Sequence, residues 1–131
     1  MSLPFAGEVY YGRYEYPDGG SSIKFMLVLY ANPNDHRVIT CIATKVPIDK
    51  NKNAGCHFKT QRFFIPAGQE YFEVDTYFEL LRFKEFSYTD FCSTKSVELK
   101  FALSSSTLAQ IRECLKKFAD DIPSDLLPLI T

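Results

Sequence analysis

Two nearly continuous apolar runs, Ile23 to Ala31 and Val38 to Ala43, stand on either side of Asn32-Pro33-Asn34-Asp35. Apolar runs this short, rich in branched side chains, suit central strands covered on both faces. The residues between them supply turn chemistry, so the segment predicts a β-hairpin with a short loop. The rest of the fold has to be built around that hairpin.

Gly7 to Tyr16 is rich in Tyr and poor in helix formers, which predicts a first strand. Pro17-Asp18-Gly19-Gly20 and the serines after it form a loop. Val46 to Cys56 reads as an exposed loop, His57 to Ile65 as a fourth strand and Pro66 to Glu70 as a turn. Tyr71 to Phe86 predicts one or two further strands, and Ser87 to Ser96 a polar loop. Val97, Leu99 and Phe101 then alternate with polar residues as in a half-buried strand. Ser104 to Ala119 is the one strong helix, with Leu108, Ile111, Leu115 and Phe118 at helical spacing behind a serine cap. Leu126 to Ile130 predicts a short terminal turn. These pieces imply a mainly β fold in one domain, residues 1–131, with a C-terminal α-helix. Phe25, Leu27, Leu29, Val38, Cys41, Leu108, Ile111 and Leu115 are expected in its core.

The 131 residues are 46% hydrophobic and 15% aromatic, too rich in burial-prone side chains for a disordered chain. The net charge of −1 excludes the overall positive field of a dedicated nucleic-acid binder and leaves only local patches. The patch is Lys45 to Arg62, where Lys45, Lys50, Lys52, Lys59 and Arg62 are opposed by Asp49 alone. It is either a solvated loop or a contact for an anion. Cys41, Cys56, Cys92 and Cys114 fit neither a zinc ribbon nor a CxxC pair, so neither metal nor other cofactor is expected, and Cys41 and Cys114 read as buried small hydrophobes. Met1 to Gly7 has no leader character and no apolar stretch is long enough for a membrane span, so a cytoplasmic location is expected.

Few residues suggest chemistry. His36 sits in the hairpin turn and is expected to be solvated. His57, between the basic loop and a strand, is the candidate for proton transfer, with a structural role as the alternative. Lys24, a lone cation in an apolar run, must reach solvent, find a partner or serve a site. Glu73, Asp75, Glu79 and Glu85 read as solvated strand positions or caps.

The order of pieces resembles the PemK/MazF family of toxin-antitoxin ribonucleases. Gly7-Glu8-Val9-Tyr10 is similar to that family's opening strand, the glycine loop before Lys24 to Ala31 to its first loop, and Ala43-Thr44 to its strand ending in Thr. Glu73-Val74-Asp75-Thr76, with Phe78 to Phe83, resembles the strand after its substrate loop, and Leu103 to Phe118 its closing strand-to-helix junction. Lys24-Phe25 stands where the family typically has Arg-Pro, which keeps a cation and loses a bidentate fork. The resemblance implies a small SH3-like antiparallel β-barrel, a homodimer, an antitoxin partner and cleavage of single-stranded RNA. Lys24, Thr44 and His57 would be catalytic, and Lys45, Lys50, Lys52, Lys59 and Arg62 would bind RNA. The alternative is a catalytically silent barrel that binds protein or nucleic acid. Tyr10, Tyr14, Phe63, Phe64 and Phe72 are expected on the dimer surface.

Overall fold

The structure is a computed structural model that describes residues 4–16, 18–93 and 97–131. Met1 to Leu3, Pro17 of the predicted loop and Thr94 to Ser96 of the predicted polar stretch lie outside the described residues. The chain runs β1 (Glu8–Glu15), β2 (Ser21–Asn32), β3 (Arg37–Thr44), β4 (Gly55–His57), β5 (Arg62–Ile65), β6 (Thr76–Ser87), α1 (Tyr88–Ser93), β7 (Val97–Ala102), α2 (Ser105–Lys116) and α3 (Leu127–Ile130). A single turn of 3-10 helix, Ala119–Asp121, precedes α3.

All seven strands form one antiparallel sheet in the order β4-β5-β6-β3-β2-β1-β7. The predicted hairpin is β2–β3. Its turn is tied by Asn32 Oδ1, which accepts from the Asn34 backbone at 2.8 Å, and by Asp35, which accepts from the Arg37 backbone. His36 is exposed there, with the positive φ of 60° that the turn demands.

Helix α2 turns this sheet into a barrel-like body. It starts directly after β7, at one edge of the sheet, and is joined to β4 at the other edge by a disulfide between Cys56 and Cys114. Ile111, Cys114, Leu115 and Phe118 face inward and join Val9, Leu27, Leu29, Cys41 and Phe78 in one apolar cluster. Gly7 is required where the first strand passes under this helix. Its φ is +98°, and a Cβ there would stand 3.2 Å from Leu108 Cδ2.

Four expectations are corrected. The stretch His57 to Ile65 is a hairpin of two short strands, because Gln61, at a φ of 57°, reverses the chain between β4 and β5. The polar stretch after Ser87 holds α1, whose Tyr88 and Phe91 pack with Tyr10 and Val28 as a second cluster. Phe25 and Leu108 are half-buried, whereas the other six expected core residues are buried. Cys114 is indeed buried, yet bonded to Cys56 and not free.

Among the described residues, no helix is long and apolar enough to cross a membrane.

Candidate active site

The start of β2 and the end of β3 lie side by side. Met26 pairs with Ile42 and Leu27 with Cys41, and Lys24 and Thr44 lie two residues beyond the Met26–Ile42 pair, at the common end of the hairpin. On its other side Lys24 pairs with Gly12 of β1, which offers no side chain to cover it. Thr44 pairs in turn with Tyr77 of β6, and Tyr77 with Phe64 of β5. Because cross-strand partners share a face, Thr44, Tyr77 and Phe64 form one row across three strands.

A cavity of about 320 Å³ opens where these strand ends meet, bordered by Lys24, Phe25, Ala43, Thr44, Lys45 and Val74, among others. Lys24 is half-buried and has no carboxylate partner among the described residues. Thr44 Oγ1 accepts from the Val46 backbone at 3.2 Å, which leaves the hydroxyl proton free to donate. A cation, a hydroxyl donor and the exposed Lys45 thus converge on one concave surface. Such a set can bind an anion, and a phosphate in particular.

Two further basic residues of the loop, Lys52 and Arg62, are tied to the sheet. Lys52 Nζ donates to Tyr77 Oη at 3.2 Å and lies 3.5 Å from Asp75. The bond to Tyr77, and after it the one to Asp75, hold its ammonium above the ordinary lysine value. Arg62 is buried, with Nη1 donating to the Val46 carbonyl at 2.8 Å and Nη2 2.9 Å from Glu79 Oε1. Its guanidinium lies 5.4 Å from the centre of the Tyr77 ring. Arg62 therefore anchors the loop from beneath. Lys50 and Lys59 are exposed, and neither borders the cavity.

His57 also serves the scaffold. It is 4% exposed, and its Nε2 lies 2.6 Å from the Asn53 carbonyl, an acceptor, so that nitrogen carries the proton. The ring sits beside Phe64 and Tyr77 and away from the cavity border. Lys24 and Thr44 thus meet at the cavity without His57. Of the acidic residues, Glu73 and Glu85 are solvated and Asp75 is a cap, as expected, whereas Glu79 is largely enclosed. Asp75 accepts from the Ala67 backbone as well as from Lys52, and Glu79 is the partner of buried Arg62. Tyr77 and Glu79 were legible only once β6 was known to be a single strand, which puts both on the face of Thr44 and Arg62.

Fold and cavity together define a small mainly β protein whose two central strands present a cation and a hydroxyl at a common end. By sequence the chain matches no protein-family model and no curated protein. By structure it is similar to a chain in the crystal structure of MazE-MazF (Form-II) from Deinococcus radiodurans, with a TM-score of 0.56 and 16% sequence identity. The match covers 90% of this chain and 96% of that one, so the two share a fold over nearly their whole length.

Proposed function

We propose that this chain is a divergent endoribonuclease of the toxin-antitoxin type, acting on single-stranded RNA as one domain. The observation that carries the reading is the convergence of Lys24 and Thr44 on the border of one cavity, on a fold shared with a MazE-MazF structure. The reaction is attack by the RNA's own 2′-hydroxyl on the adjacent phosphorus. The bond to the 5′-oxygen of the next nucleotide breaks, the 2′-hydroxyl giving its proton to water and the leaving oxygen taking one from water, which leaves a 2′,3′-cyclic phosphate and a free 5′-hydroxyl. Lys24 and Lys45 would offset the negative charge that grows on the phosphate oxygens, and the Thr44 hydroxyl would donate to one of them. The likeness in fold also supports a homodimer and an antitoxin partner. The cytoplasm, where RNA is abundant, is the proposed compartment, and there the Cys56–Cys114 bond would be under reducing pressure.

One observation favours a second reading, a barrel that binds RNA or protein without cutting. Among the described residues, neither an imidazole nor a carboxylate borders the cavity. The product ends separate the two. An oligoribonucleotide incubated with the protein should yield fragments with 2′,3′-cyclic phosphate termini, and 2′-deoxy substitution at the cut site should abolish them. Binding without fragments supports the second reading.

A further inference from the structure

A second cleft, of about 410 Å³, lies among Phe25, Tyr71, Phe72, Val74 and Phe101, with Glu73 and Lys100 as its charged groups. Its size is in the range of small-ligand sites. Phe25 and Val74 belong to both clefts, so this one opens beside the Lys24–Thr44 cavity across a common wall. Its floor is built edge to face: Phe72 meets Phe101 with ring centres 4.9 Å apart and Phe25 at 5.6 Å. Phe72 is buried, whereas Tyr71 is 79% exposed, with its ring 5.7 Å from Phe101.

Tyr71 is exposed on a backbone that is pinned. Glu70 and Tyr71 have φ values of 51° and 66°, unusual for side chains of their size. The Glu70 carboxylate holds this turn by accepting from Ser104 N at 3.0 Å, Ser104 Oγ at 2.5 Å and Thr107 Oγ1 at 2.6 Å. Phe72 N donates to the Gln69 carbonyl. Lys100 adds a cation at the rim, 5.9 Å from the Tyr11 ring and paired with Glu98 at 3.3 Å, an exposed ion pair. An aromatic ring left to water on a pinned backbone, with a second ring behind it and one lysine at the rim, suits a flat group attached to an anion.

The geometry points to a nucleobase subsite: the Tyr71–Phe101 cleft stacks one base of a single-stranded RNA whose neighbouring phosphate lies at Lys24 and Thr44. This assignment rests on the function proposed above. Every base has a π-face, and stacking on an aromatic side chain adds affinity that salt does not screen, while Lys100 attracts the backbone beside it.

The test is fluorescence anisotropy with short 5′-fluorescein 2′-O-methyl oligonucleotides, which bind and cannot be cut. Tyr71→Ala should weaken binding about 5- to 150-fold, the worth of one stacked base, with an unchanged salt slope. Tyr71→Phe should bind like the parent. An abasic site scanned along the oligonucleotide should reproduce the loss at one position, and there Tyr71→Ala should add nothing. Lys24→Ala should instead reduce the salt slope by about 0.7, the value of one phosphate on a single strand. If Lys24→Ala weakens binding and Tyr71→Ala does not, the subsite is overturned while the phosphate site stands. If the parent binds no oligonucleotide, both fall. If Tyr71→Ala changes the mass measured by light scattering, the cleft is an interface between copies, which also overturns the subsite.

Discussion

Arg62 and Glu79 form the most enclosed ion pair among the described residues, with side chains 7% and 16% exposed. Removing one partner of such a pair strands the other, so Arg62→Ala should cost about 3 kcal/mol, with Arg82, 3.2 Å from Glu79, limiting the loss. Urea unfolding measures it, and a loss under about 1 kcal/mol, the worth of an exposed pair, would contradict the anchoring role. Glu70 makes a prediction with a pH signature. Partial burial alone would raise its carboxyl, but the hydrogen bonds from Ser104 and Thr107 outweigh that and hold it below the ordinary glutamate value. In the acid range the unfolded chain therefore binds the proton more readily, so this stabilisation is complete above the ordinary value of about 4.3 and fades below it. Parent and Glu70→Gln should differ in melting temperature at neutral pH and converge as the pH falls. A constant offset at every pH would count against the capping carboxylate. That Lys24 and Thr44 border one cavity was legible because both lie at the open end of a short hairpin of two apolar strands. The Arg62–Glu79 and Glu70–Ser104 contacts were not, since each joins segments whose proximity depends on the whole sheet.

Among the elements, α2 was the easiest to read, since an apolar stripe behind a serine cap has few alternatives. Its partner across the molecule was hidden, because a cysteine on an apolar helix face looks the same whether it is free or bonded. The Cys56–Cys114 bond closes a sequence separation of 58 and fastens α2 to the edge strand β4. Its reduction should cost roughly 2–4 kcal/mol. Thermal melting with and without dithiothreitol, beside Cys56→Ser, gives the comparison. A variant that melts with the oxidised parent would mean that packing alone holds the helix in place. Cys41 should play no part in such exchange, since burial pushes its thiol far above the ordinary value. The strands β4 and β5 were merged in the sequence reading because the reversal at Gln61 needs neither Gly nor Pro, and the short helix α1 was missed because six residues carry too little periodicity.

At the scale of the whole molecule, the aromatic residues expected to cover a dimer surface lie inside: Tyr10, Tyr14, Phe63, Phe64 and Phe72 are at most 8% exposed. Composition reveals how many aromatic rings a chain has, but their placement depends on strand phase. Other apolar side chains, among them Phe58, Ile48, Val46 and Ile23, are exposed instead and give the molecule surface to bury. Light scattering at high micromolar concentration should return twice the chain mass of 15.0 kDa, and a monomer would remove the proposed dimer. The central claim is that the common end of β2 and β3 is a phosphate site that works through its cation. The measurement that tests it most directly is the rate of cleavage of single-stranded RNA by the parent and by Lys24→Ala, with both melting temperatures recorded. Cutting by the parent, lost in the variant at nearly unchanged melting temperature, is the predicted result. A variant that cuts as fast as the parent would contradict it.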